Sequence, residues 1–258
     1  MTALDAQPAG NNTAQQPLPE GRIGQRQAPV WRWSQTWRNV LFVHWQVPTD
    51  RVRDLLPGEL ELDCWQGSAW VSAVAFQLAM VRLGRLPPIP WCTDFLELNL
   101  RTYVRYRSRP GICFLSMHAD SRAAVAAARW LTPLPYRYAP MACARERGQW
   151  RWRCGGAGAA QPALLEGKFQ VRGEAAPAVA DSLDAWLLER YDAFVSNRRG
   201  ALYRMTVEHP PWRVSPVTCD IASARCEASI GIPLSRVPSF SHFSTGVEAL
   251  LSPFEPLG

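Results

Sequence analysis

Between Phe95 and Tyr106 apolar and polar residues alternate with a period of two. Leu96, Leu98, Leu100, Thr102 and Val104 share one face, and Glu97, Asn99, Arg101 and Tyr103 share the other. Side chains two apart on a strand lie about 6.6–7 Å from each other. The four polar groups therefore either line one small-molecule site or form the solvated face of an antiparallel sheet. The same patterning predicts further strands over 39–47, ended by Pro48, over 60–63 and 69–78 around a Gln66-Gly67 turn, and over 112–117 after an Arg-Pro-Gly corner. Strands over 149–153, 168–173 and 201–207 follow. Helical spacing predicts a short helix capped by Thr49, an alanine-rich helix capped by Asp120 or Ser121 and running to Trp130, and a helix SLDAWLLERYDAF capped by Asp181 or Ser182 and reaching Phe194. Pro133 and Pro135 stop the second of these.

Many short strands with few helices imply a mainly β, α+β chain in a single domain over 29–235. Residues 1–28 are polar, aperiodic and rich in Ala, Gln, Pro and Asn, which predicts a disordered extension. The Ser/Pro-rich 236–258 reads as a loosely attached tail. The proline-rich 82–94 reads as a loop bordering a pocket, and 155–163 as a flexible Gly/Ala segment.

Composition narrows the chemistry. With 258 residues, 47% of them hydrophobic, the chain can bury a sizeable core. No apolar run reaches the length of a transmembrane helix, and the N-terminus lacks the basic and apolar regions of a signal peptide, so the expected location is cytoplasmic. Seven cysteines, an odd set without a CxxC pair, fit reduced thiols better than disulfides or a zinc site. No cofactor or metal is expected. No HExxH, Gly-rich phosphate loop or GxSxG elbow is present. The net charge is +6, nearly all from arginine, and the Arg/aromatic clusters RTYVRYRSR and RERGQWRWR raise nucleic-acid binding as a minor alternative.

The segments QTWRNVLFVHWQVP, LLPGELELD, AWVSAVAF, LELNLRTYVRYRSRPGICFLSMHA, ARWLTPLPYRYAPM, LLERYDAF and LYRMTVEHPPW occur in an order that resembles the DUF2071, or YqjF-like, family. That family is similar in fold to acetoacetate decarboxylase. The resemblance implies an antiparallel β-barrel or cone with a few surrounding helices and an interior pocket. The decarboxylases' signature, similar to GRELxxYPKK, can be laid on ARWLTPLPYR, residues 128–137. Their imine-forming lysine then falls on Tyr136, and the neighbouring basic position is Arg137. By the same resemblance Glu97 matches an active-site glutamate, Arg38 a carboxylate-binding arginine, and Ser72 replaces a second glutamate. A phenol cannot form a Schiff base, and the chain's one lysine, Lys168, lies outside the matching segments.

The leading expectation is a small-molecule-binding protein that holds a carboxylate- or carbonyl-bearing ligand without an imine. The alternative is a lyase, isomerase or hydratase acting on an oxo acid by Glu/Tyr/Arg acid–base chemistry. Glu97 and Tyr136 are the candidate catalytic groups. Arg38, His44, Asn99, Arg101, Tyr103, Arg137 and His209 are the candidate ligand-binding groups. Against these stand ordinary roles: an Arg38–Glu97 structural ion pair, a core-packing Tyr136 and a hydrogen-bonded core His44. Homo-oligomerisation is left open.

Overall fold

A computed structural model of the protein describes residues 33–90, 93–156, 163–197 and 199–258. The 1–28 extension lies outside them, as does most of the Gly/Ala segment, residues 157–162.

The elements are β1 (Trp33–Val47), α1 (Thr49–Arg53), β2 (Glu61–Leu62), β3 (Ala69–Leu83), β4 (Phe95–Tyr106), β5 (Arg109–Ala119), α2 (Arg122–Leu131), β6 (Tyr136–Tyr138), β7 (Met141–Glu146), β8 (Gln149–Cys154), β9 (Leu165–Val171), β10 (Ala176–Pro177), α3 (Leu183–Leu188), β11 (Asp192–Ser196), β12 (Leu202–Glu208), β13 (Arg213–Ala224), α4 (Glu227–Ile230), β14 (Phe240–Leu251) and β15 (Glu255–Leu257). Their strands form one sheet in the order β15-β12-β11-β5-β4-β3-β1-β14-β13-β9-β8-β7, mainly antiparallel. Val207 and Glu208 of β12 also pair with Leu251 and Leu250 of β14, which closes β12-β11-β5-β4-β3-β1-β14 into a cone-like ring. Beyond β14 the sheet continues through β13, β9, β8 and β7 and covers the outside of the ring.

Two cores result, and the period-two alternation decides which residue serves which. Val40 and Phe42 of β1 and Val74 and Phe76 of β3 point into the ring. Leu41, Val43, Val71, Ala73, Leu98 and Leu100 point outward and pack on Trp152, Phe169 and Ile221 of the second layer. Strands buried on both faces explain the near-continuous apolar run AWVSAVAF. Each fully buried Val, Leu or Phe among them contributes about 1.5–3 kcal/mol.

Ring closure needs bent strands. Asn39 has a φ of +53°, and the β1–β3 register slips between the Arg38 and Leu41 pairs, which is a β-bulge. The bulge inverts the strand's facing: Gln35 and Trp37 line the interior before it, Val40 and Phe42 after it. On the neighbouring strand Gly246 approaches the bulge so closely that a Cβ there would lie 1.9 Å from the Trp37 carbonyl oxygen.

Three expectations are corrected. The 236–258 segment is no tail: β14 runs beside β1 from Trp33↔Leu251 to His44↔Phe240 and completes the ring, and β15 pairs with β12. The predicted helix reaching Phe194 ends at Leu188, and Asp192–Ser196 is strand β11, inserted between β5 and β12. The aromatic and β-branched run Phe194-Val195 favours a strand, and pairing with β12 satisfies its backbone. Thr49 does not cap α1, because Pro48 occupies that position and no side-chain cap bond forms. By contrast Ser121 and Ser182 cap α2 and α3, accepting from the backbone N–H of Ala124 and Ala185.

Candidate functional site

The polar face of β4 is not solvated. Glu97, Asn99 and Tyr103 are buried, and Glu97, Asn99 and Arg101 line a cavity of about 80 Å³ inside the ring. Room of this size accommodates a few water molecules or a short-chain organic acid. The alternation was legible in the sequence, but the ring that buries its polar side depends on β11, β12 and β14, which lie about a hundred residues later.

Tyr136, on β6, reaches the cavity because β6 pairs in parallel with the end of β5, placing Tyr136 beside Met117. Its hydroxyl donates to Oε2 of Glu97 at 2.8 Å. Burial raises the Glu97 pKa to about 7, against the opposing effect of hydrogen bonds from Tyr136 and Asn99. The Tyr136 hydroxyl is pushed well above its ordinary value by burial and then by the Glu97 charge. The pair is thus poised to hold or release one proton near neutrality, and the proton belongs to Glu97.

Arg101 provides the cavity's positive charge. Its Nε and Nη2 are buried without a hydrogen-bond partner, and it forms no ion pair with a carboxylate among the described residues. Burial lowers its pKa, with Tyr103 partly offsetting the effect, and its guanidinium lies 5.8 Å from the Phe42 ring centre. Arg190, placed by the turn after α3, also lines the cavity. Its Nη1 donates to Asp63 Oδ2 at 2.7 Å, its guanidinium stacks over Trp186 at 4.4 Å, and its Nη2 has no partner. Asp192 completes this end, accepting from Thr206 Oγ1 at 2.9 Å and facing Arg109 Nη1 at 3.5 Å.

His209 lines the cavity within an aromatic group, its ring centre 4.9 Å from both Tyr191 and Trp212. Its Nδ1 donates to the Pro210 carbonyl at 2.8 Å. Burial lowers its pKa, which favours a neutral ring with Nε2 free to accept.

The remaining candidates do not line the cavity. Arg38 is exposed in an outer groove with Arg82 and Glu248, because the Asn39 bulge turns it away from the ring. No Arg38–Glu97 ion pair forms. Arg137 alternates outward from Tyr136 and is exposed. His44 and Tyr103 are fully buried on the inner face beside the cavity and share Ser72: His44 Nδ1 and Tyr103 OH each lie 2.6 Å from its Oγ. Burial, and then the charges of His242 and Arg101, lower the His44 pKa well below its ordinary value. The Ser72 hydroxyl thus joins His44 of β1 to Tyr103 of β4. Lys168 is exposed on β9 in the second layer.

Sequence reading missed Gln35, Trp37, Arg190, Asp192 and Trp212, all of which line the cavity. Arg190 and Asp192 were hidden by the helical reading of their segment. The run from Tyr191 to Val195 carried the signal, through its aromatic and β-branched content. Among the described residues no group of three or more His, Cys, Asp or Glu side chains converges as a metal site.

The profile of the DUF2071 family, described as an uncharacterized conserved protein, matches residues 34–248. The chain is 36% identical over 224 residues to the uncharacterized protein YqjF of Bacillus subtilis (strain 168), covering 87% of this chain and 92% of that one. A structure of acetoacetate decarboxylase superimposes with a TM-score of 0.63 at 13% identity, covering 90% of each chain. That of the Legionella pneumophila enzyme gives 0.59 at 16%, covering 87% of each. The enduracididine biosynthesis enzyme MppR complexed with pyruvate gives 0.60 at 15%, covering 95% of this chain and 99% of that one. At these identities the structural likenesses establish the fold, whereas the profile and the Bacillus relative establish the family: the chain belongs to DUF2071 and has an acetoacetate decarboxylase-like fold.

Proposed function

We propose that the protein binds a small carboxylate- or carbonyl-bearing molecule inside the ring, without forming an imine. The observation that carries this reading is the Arg101 guanidinium, buried in the cavity without a counter-charge. A buried cation without a partner costs several kcal/mol, which an anionic ligand offsets. Tyr136, which the resemblance aligns with the imine-forming lysine, lines the cavity as a phenol, and the chain's one lysine is exposed in the other layer. The complex of the fold relative MppR with pyruvate supports a small acid as ligand. No helix among the described residues is long and apolar enough to cross a membrane.

The test is ligand-dependent thermal shift of the full chain against short-chain carboxylic and oxo acids. Stabilisation of about 2.7 kcal/mol is expected at a hundredfold excess over Kd, and Arg101→Met should abolish it. Borohydride treatment with a binding oxo acid should leave the protein mass unchanged; an adduct on Lys168 would overturn the proposal.

A second reading, lysine-independent acid–base chemistry on an oxo acid, is favoured by the Tyr136–Glu97 hydrogen bond inside the cavity, where burial raises the Glu97 pKa to about 7. Turnover of a binding acid that is lost in Glu97→Gln supports it. Binding without turnover leaves the first reading alone.

A further inference from the structure

The polar atoms of the cavity divide into those already partnered and those left over. Tyr136 and Glu97 satisfy each other, Asp192 is held by Thr206, and Arg190 Nη1 is held by Asp63. Left over and buried are Nε and Nη2 of Arg101, Nη2 of Arg190 and Oδ1 of Asn99. The first three are donors on cations, and the last is a neutral acceptor. Asn99 also hydrogen-bonds Glu97 and supports its charged form, so the amide nitrogen is the end directed at the carboxyl and the oxygen is the end that remains.

Buried polar groups are almost always hydrogen-bonded. A molecule that completes this set needs an anionic acceptor for the guanidiniums and, separately, a donor for Asn99. Asn99 and Arg101 are two apart on one face of β4, about 6.6–7 Å along the strand. The two ligand groups are therefore close, separated by a few carbons. An unsubstituted acid or an oxo acid brings acceptors alone and leaves Asn99 Oδ1 unmet. An amino acid also brings a donor, but its ammonium adds a full charge to be desolvated where the unpaired atom, Asn99 Oδ1, is a neutral acceptor that a hydroxyl satisfies without that cost. A hydroxy acid meets every requirement.

We propose that the ligand class of this cavity is a short-chain hydroxy acid, its carboxylate held by Arg101 and Arg190 and its hydroxyl donating to Oδ1 of Asn99. This assignment rests on the carboxylate-binding reading above and adds the donor to it. The apolar walls supplied by Val74, Phe76 and Met205 suit the carbon chain.

Isothermal titration calorimetry on the full chain, with acids matched in length, tests the assignment. The sets are propanoate, 2-hydroxypropanoate and 2-oxopropanoate, and butanoate, 3-hydroxybutanoate and 3-oxobutanoate. In at least one set the hydroxy acid should bind about tenfold or more tightly than both partners, because a buried acceptor left unpaired is expensive. Asn99→Leu should erase that advantage, bringing the ratio of hydroxy-acid to unsubstituted-acid affinity to about one. Equal affinities within each set, or an oxo acid as the tightest member, overturn the hydroxy-acid assignment and leave the carboxylate pocket standing. Absence of binding by all six acids overturns both. The wild-type comparison decides the matter even where Asn99→Leu fails to fold.

Discussion

Glu97 is 2% exposed and has its pKa raised to about 7 from an ordinary value near 4.5, so the folded protein binds its proton more tightly than the unfolded chain does. The sign follows from proton counting. Between about pH 4.5 and 7 the native state holds more protons than the unfolded state, so stability falls as pH rises through this window and levels off above it. The full effect is about 3 kcal/mol. Glu97→Gln, isosteric and uncharged, should remove this part of the pH dependence and be more stable than wild type at pH 8. Urea denaturation at pH 5 and pH 8 checks it, and an unchanged pH slope would show that Glu97 is not buried as described. At this scale the sequence was partly legible. Alternation from Glu97 to Tyr103 identified the right face, but not that Arg101 would line the cavity while Tyr103 packs beside it on Ser72. Arg38 shows the opposite failure: read in unbroken alternation it shares a face with Val40 and Phe42, and a single left-handed residue, Asn39, reverses it.

At the scale of elements, that bulge and the glycine opposite it form a unit. Gly246 has a φ of +132°, in a region that side-chain-bearing residues avoid, and the Trp37 carbonyl occupies the space a Cβ would need. Gly246→Ala should destabilise the protein by about 3 kcal/mol or more. Gly67→Ala is the control: that turn residue also has a positive φ, +81°, but open space around it, and should cost about 1 kcal/mol. Comparable losses in thermal or urea denaturation would mean that the close approach at Trp37 has no energetic weight. The caps at Ser121 and Ser182, the β4 alternation and the Gln66-Gly67 turn are local signals, and each reads correctly from a few residues, whereas the Thr49 cap does not. The Arg190–Phe194 segment is ambiguous locally, since LLERYDAF places apolar residues at spacings that suit a helix as well as a strand. Pairing with β5 and β12 resolves it, and that information is not in the segment.

For the whole molecule, ring closure is the property least visible in the sequence, because Ser/Pro-rich composition around residues 235–241 masks a strand of 12 residues that follows. β14 lies between β1 and β13 and contributes Phe243, Ala249 and Leu251 to the two cores. Truncation after Ser235 should therefore abolish cooperative unfolding, where loss of a true tail would leave it intact; circular dichroism during a thermal scan distinguishes the two. The Arg/aromatic cluster RTYVRYRSR likewise changes meaning in three dimensions. Arg101 and Tyr103 face inward and Arg105 pairs with Asp63 at 3.0 Å, so the segment offers no continuous basic surface.

The wall formed by β1, β3 and β4 separates two apolar compartments, and successive residues along it answer to different neighbours. Leu98 and Leu100 are committed to Trp152 and Phe169, while Glu97, Asn99 and Arg101 face the cavity inside the ring. Every second position can thus be exchanged without disturbing the masonry behind it. A scaffold of this kind lets descendants acquire new ligand preferences by a few substitutions on a single strand, while the architecture is inherited unchanged.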